Sequence, residues 1–97
     1  MVDKKPYTEM NFDRFDSNHV IRTFTEDVNE EELVWHRDKE DRIIHVLEGN
    51  EWMLQMDNEE PVKLEKGKNY SIPKMEYHRI IKGEGSLTLE IEVNNGD

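Results

Sequence analysis

Gly67-Lys68-Asn69-Tyr70-Ser71-Ile72-Pro73-Lys74-Met75-Glu76-Tyr77-His78 is the stretch on which the fold turns. A turn, Glu65-Lys66-Gly67-Lys68, leads into a short strand over Asn69–Ile72. Pro73 cannot donate to a ladder and interrupts it, and its fixed φ shapes the approach to the next strand, Tyr77–Lys82. Working back toward the N-terminus, Val62–Leu64, Glu51–Met56, Arg42–Leu47 and Leu33–Arg37 read as strands, separated by the turn signals Asp57-Asn58-Glu59 and Glu48-Gly49-Asn50. Working forward, Gly83-Glu84-Gly85 is a turn. Beyond it Leu87, Leu89, Ile91 and Val93 alternate with Thr88, Glu90 and Glu92, the period of a strand with one buried face. His19–Phe24 mixes helical spacing with β-branched residues and is read as a strand. About eight short strands at regular spacing, with no convincing helix, predict an all-β sandwich or barrel.

Composition agrees. The 97 residues suit one domain. They include no alanine, while Val and Ile together number 14, which favours strands over helices. Residues 1–18 read as a polar arm lying over the domain, anchored by Tyr7, Phe12 and Phe15; residues 19–94 form the domain and 95–97 a polar tail. The net charge is -10. Residues 1–60 carry 17 acids against 7 bases, whereas residues 61–97 carry 6 of each. Nucleic acid and anionic membranes need clustered Lys and Arg, so neither is an expected partner. The acidic run Glu26, Asp27, Glu30, Glu31 and Glu32 reads as a solvated loop. With no cysteine, disulfides, thiol catalysis and Cys-ligated zinc are excluded. No apolar run is long enough to span a membrane, and MVDKKPYTEM has no apolar signal core. A cytoplasmic protein is expected. A G-x-S-x-G elbow, a phosphate loop and a dinucleotide fingerprint are all absent.

The chemistry rests with the histidines. Residues two apart in a strand share a face, so His36 and Asp38 can point into one cavity, with His78 brought opposite by barrel closure. Two imidazoles and one carboxylate form the set used by non-haem Fe(II) sites with open coordination positions. Spacing alone favours the plainer alternative, a surface and a core histidine with unrelated roles. His45 has the opposite parity to Arg42, Ile44 and Val46 and should face outward. Trp35, beside His36, should face away from the pocket into core or interface packing, and Met53 and Met56 read as gap-filling core.

The stretch from Trp35 to His78 resembles the cupins, whose two short motifs end on Gly49 and begin at Gly67 in this chain. Gly67, Pro73 and His78 fall in register with the second motif, with Met75 in place of its inner Gly and Lys82 in place of its Asn. In the first motif His36 takes the first His position, Asp38 the second and Arg42 the Glu, while Glu30 replaces the opening Gly. The run His36-Arg37-Asp38-Lys39-Glu40-Asp41-Arg42 is similar to the small cupins of bacteriophages of marine cyanobacteria, whose role is undefined.

The resemblance implies a single-domain jelly-roll β-barrel and a homodimer burying Ile43, His45, Leu47 and Trp35. Metal-binding cupins supply three His and one Glu, but Arg42 has no lone pair to give. Three readings stay open. His36, Asp38 and His78 hold a divalent metal (Fe, Mn, Ni or Zn) and Arg42 clamps a small anion with its planar fork. Alternatively Arg42 pairs with Asp38 in a metal-free pocket, or Glu40 supplies the carboxylate. Ile44, Ile72, Ile80, Tyr70 and Leu54 would form the apolar wall. Oxygenase or isomerase chemistry, non-catalytic binding of a metabolite or sugar, and a structural or host-interaction role of the acidic surface are the functions to be weighed, since fold does not fix function.

Overall fold

The computed structural model describes residues 5–13 and 16–94. Eight strands run in chain order among them: β1 Thr8–Asp13, β2 Asp16–Phe24, β3 Asp41–Asn50, β4 Met53–Met56, β5 Val62–Lys63, β6 Asn69–Ile72, β7 His78–Ile81 and β8 Glu84–Asn94. They build a five-stranded sheet, β1-β2-β8-β3-β6, and a three-stranded sheet, β5-β4-β7. All the strand pairs are antiparallel. No helix among the described residues is long and apolar enough to cross a membrane.

β8 organises the fold because its alternation is complete. Leu87, Leu89 and Ile91 are buried, while Glu90 and Glu92 face outward. Its neighbour β3 turns Ile44 and Val46 onto the same inner face, with Ile44 opposite Ile91 and Val46 opposite Leu89. Leu54 of the second sheet, with Trp52 just before β4 and Leu64 just after β5, closes over them, and Phe24 and Ile72 are also in the core. The two sheets meet where Gly83 passes the β3–β4 corner. A Cβ on Gly83 would sit 2.3 Å from the backbone of Glu51 and Trp52, so no side chain fits there.

Two segments differ from the sequence reading. The polar arm is instead a strand: β1 pairs with β2, and the boundary at residue 19 falls inside β2. Tyr7 anchors this hairpin edge-on against Phe24, with ring centroids 5.4 Å apart. Phe15 and residues 95–97 lie outside the described residues, as does the side chain of Phe12. The second difference concerns Leu33–Arg37, which is not a strand. Glu30–Glu32 coil into a 3-10 turn capped by the Asn29 side chain, and bends at residues 39 and 40 follow. Only His36 reaches the ladder, through the isolated bridge His36↔His78.

Candidate metal centre

The bridge places the site. His36 N–H donates to the His78 carbonyl at 3.0 Å and His78 N–H returns the bond at 2.9 Å. Both side chains therefore project from one face, and their rings meet edge-on with centroids 4.3 Å apart. The flanking residues turn outward, where Arg79 lies 4.9 Å from the Trp35 ring centroid and Arg37 lies 5.1 Å from that of Tyr77. Trp35 thus faces away from the cavity as expected, but it is 41% exposed rather than core.

Asp38 is held in place by backbone contacts that leave little trace in the sequence. Its carbonyl accepts Met75 N–H at 2.6 Å. Met75 sits at φ 64°, the left-handed region that favours glycine, so the turn keeps the shape a glycine would give it. Next to it, Asp41 Oδ1 accepts Lys74 N–H at 2.8 Å. The Pro73–Glu76 turn is thereby fastened to the 38–41 segment, and Asp38 faces His78.

One ligand atom from each of His36, Asp38 and His78 lies within 4.8 Å of the others. His36 Nδ1 faces the Val34 carbonyl at 3.0 Å, and His78 Nδ1 faces the Glu76 carbonyl at 2.9 Å. A carbonyl only accepts, so each Nδ1 carries a hydrogen, and in that neutral tautomer the lone pair sits on Nε2. This is how metal-ligating imidazoles are oriented. His78 Nε2 lies 3.4 Å from Asp38 Oδ2, a separation that two metal bonds of about 2 Å can span. Burial pushes the His78 imidazole below its usual pKa, and His36 adds to the shift, which keeps the lone pair available.

Among the described residues, two buried side-chain atoms have no hydrogen-bond partner: Asp38 Oδ2 and Arg42 Nε. One is an acceptor facing a lone-pair nitrogen and the other is a donor. A cation would satisfy the first. Arg42 Nη2 lies 3.6 Å from Asp38 Oδ1 and 3.5 Å from Glu40 Oε1, so Glu40 neighbours the guanidinium and is not part of the three-residue group.

These residues line a cavity of about 300 Å³ between the sheets. Ile44, Ile72 and Ile80 line it, as do Arg22, Phe24, Leu33 and Leu89, which the sequence reading did not assign to the pocket. Tyr70 and Leu54 are not among the lining residues. The Tyr70 hydroxyl donates to the Lys63 carbonyl and accepts Glu65 N–H, both at 2.9 Å, and Leu54 is buried in the core.

Protein-family models and curated proteins give no match to the chain. Solved structures do. KdgF from Halomonas sp. aligns with a TM-score of 0.72 at 16% identity over 100% of this chain and 88% of its own. A cupin superfamily protein (DSY2733) from Desulfitobacterium hafniense aligns with a TM-score of 0.68 at 17% identity over 98% and 84%. The chain has the cupin fold. Cobalt(II) HppE in complex with Tris buffer aligns with a TM-score of 0.70 at 18% identity, over 97% of this chain and 56% of its own. Against the cupin pattern, Arg42 at the Glu position removes one ligand, and Met75 at the Gly position preserves the turn through its φ of 64°.

Outside the cavity, His45 projects from the other face of β3. Its Nε2 lies 2.8 Å from Glu92 Oε2 and its Nδ1 contacts Asn69 Oδ1. His19 approaches the same Glu92 carboxylate at 3.7 Å. The Glu92 bond raises the His45 pKa above 6.5, outweighing desolvation, with smaller contributions from Asn69 and Glu90. A raised pKa stabilises the fold fully below the unfolded value, and that gain is lost as pH rises through the folded value. We therefore expect His45 to titrate above 6.5 in an NMR pH series and to fall back toward 6.5 in Glu92→Gln. A value at or below 6.5 in the unmodified chain would contradict this arrangement.

Proposed function

We propose that this cupin pocket binds one divalent metal (Fe, Mn, Ni or Zn) through His36, Asp38 and His78, and a small anionic molecule through Arg42. The observation that carries this reading is the group itself: ligand atoms of His36, Asp38 and His78 lie within 4.8 Å of one another with both Nδ1 atoms turned to backbone carbonyls, and Arg42 stands 3.5–3.6 Å from its nearest carboxylates. A metal held by two imidazoles and one carboxylate supplies Lewis acidity with coordination positions left open, which suits oxygenase or isomerase chemistry. The cobalt(II) in HppE shows that a protein of this fold holds such an ion. The chain's own residues would fix two lone-pair nitrogens, exclude water with the apolar wall, and orient the anion against the guanidinium.

The 3.6 Å approach of Arg42 to Asp38 supports a second reading, a metal-free anion pocket. Arg42→Glu separates the two. With metal bound, the substitution replaces a repelling cation with a fourth ligand. Metal affinity should then rise by about 10-fold or more while carboxylate binding is lost. Unchanged metal affinity together with lost carboxylate binding would favour the metal-free pocket.

We also propose a symmetric homodimer through the outer face of the five-stranded sheet, where Ile43 and Leu47 are 39% and 38% exposed. Trp35 does not share that face, since it lies beside Arg79 of β7 in the other sheet. Sedimentation should give twice 11.6 kDa, and a mass of 11.6 kDa at micromolar concentration would contradict the proposal.

A further inference from the structure

We propose that the anion accepted by this cavity is an apolar-tailed monocarboxylate of about ten non-hydrogen atoms, rather than a sugar acid or a dicarboxylate. The inference rests on reading the cavity as the ligand site with Arg42 as its anion contact. Size sets the first limit, on the part of the ligand that is buried, because about 300 Å³ holds roughly ten groups at ~30 Å³ each.

The distribution of polar groups sets the second limit. His36, Asp38, Arg42 and His78 supply one polar cluster, and Tyr7, Arg22 and Glu32 are the other polar side chains of the lining. Phe24, Ile44, Ile72, Ile80, Leu89 and Ile91 line the body of the cavity and offer no hydrogen-bonding side chain. Their backbones lie in strand pairs, Ile44 between Ile91 and Tyr70, Leu89 between Arg22 and Val46 and Phe24 with Leu87, with Ile72 and Ile80 on the edge strands β6 and β7 paired on one side, to Arg42 and Leu54. The hydroxyls of a sugar acid would be buried there without partners, each lowering affinity by roughly 10-fold. A hydrocarbon tail instead gains about fourfold per buried methylene.

The third limit is the number of anionic groups. Arg22 also lines the cavity, but it is occupied. Its Nε and Nη2 hold Glu9 Oε2 at 2.7 and 2.6 Å, and its guanidinium lies 3.8 Å from the Tyr7 ring centroid. Glu32 lines the same cavity and repels a second negative charge. Of the two guanidinium groups that line the cavity among the described residues, Arg22 is held at 2.6–2.7 Å by Glu9 whereas Arg42 lies 3.5 and 3.6 Å from Glu40 and Asp38, so Arg42 is the one left to take a single carboxylate.

The test is calorimetric titration of the untagged chain with acetate, butanoate, hexanoate, gluconate and adipate, with elemental analysis of the same samples. Affinity should rise about 16-fold from butanoate to hexanoate. Gluconate and adipate should bind at least about 10-fold more weakly than hexanoate, and Arg42→Gln should abolish hexanoate binding. A flat series, or gluconate or adipate matching hexanoate, overturns the inference. The metal reading is scored separately. A metal-free chain that shows the rising series upholds the monocarboxylate and removes the metal, whereas a metal-loaded chain with a flat series does the reverse.

Discussion

In the proposed metal site, His78→Ala should abolish divalent-metal binding while leaving the fold intact. Substitutions in the outer shell of a metal site cost about 10–100-fold in affinity, and removing a direct ligand from a three-residue set should cost at least ~100-fold. The fold should survive because the bridge to His36 is made by backbone atoms, which alanine retains. The lost imidazole also borders a cavity that already exists, so no new void opens inside the packed core. His45→Ala is the matched control, since His45 lies on the outer face with Glu92 and Asn69. Metal content and circular dichroism of both variants decide the matter. Metal retained after His78→Ala, or lost equally in both, would move the site elsewhere.

Trp52→Ala should give the largest loss of stability. The indole is fully buried, its centroid is 5.9 Å from that of Phe24, and its Nε1 donates to the Glu84 carbonyl at 3.1 Å. It fills the corner where Gly83 passes within contact of the Glu51–Trp52 backbone, so the surroundings have little room to collapse. Truncation there costs about 3–5 kcal/mol, a large share of the roughly 5–15 kcal/mol available to a domain. At about 1.5 kcal/mol per molar urea, the unfolding midpoint should fall by about 2 M or more. Trp52→Phe keeps the ring and loses the hydrogen bond, for a cost of about 1 kcal/mol beyond the reduced burial. A midpoint for Trp52→Ala within about 0.3 M of the unmodified chain would contradict this packing.

The parts of the fold legible in the sequence are those set by burial. Leu87, Leu89 and Ile91 alternate because one face of β8 is core, and the same logic orients Ile44 and Val46. β1 has the alternation, Met10 and Phe12 between Glu9, Asn11 and Asp13, but it is short and lies at a sheet edge where Met10 is 65% exposed, so burial does not mark it out. Leu33–Arg37 misleads in the opposite sense. Its apolar and aromatic residues have strand character, yet the preceding 3-10 turn leaves only His36 in reach of a partner.

At the site, parity and the motif spacing were enough to group His36, Asp38 and His78. The contacts that aim them are made by backbone atoms, such as Met75 N–H on the Asp38 carbonyl and the Val34 and Glu76 carbonyls on the two Nδ1 atoms. A backbone contact can be made by almost any residue, so it leaves no spacing signal. Asp41, which accepts Lys74 N–H through its side chain, is the exception in chemistry but carries no motif. The sequence reading places Tyr70 in the apolar pocket wall, whereas its hydroxyl is taken up by the turn between β5 and β6.

The most direct measurement is anomalous scattering from a crystal of the untagged chain loaded with cobalt(II) or manganese(II). The account predicts one peak about 2.0–2.3 Å from His36 Nε2, His78 Nε2 and an Asp38 carboxylate oxygen, with open coordination positions on the cavity side. A loaded crystal with no peak there, or with its only peak at the His19–Glu92–His45 cluster on the outer face, would contradict it.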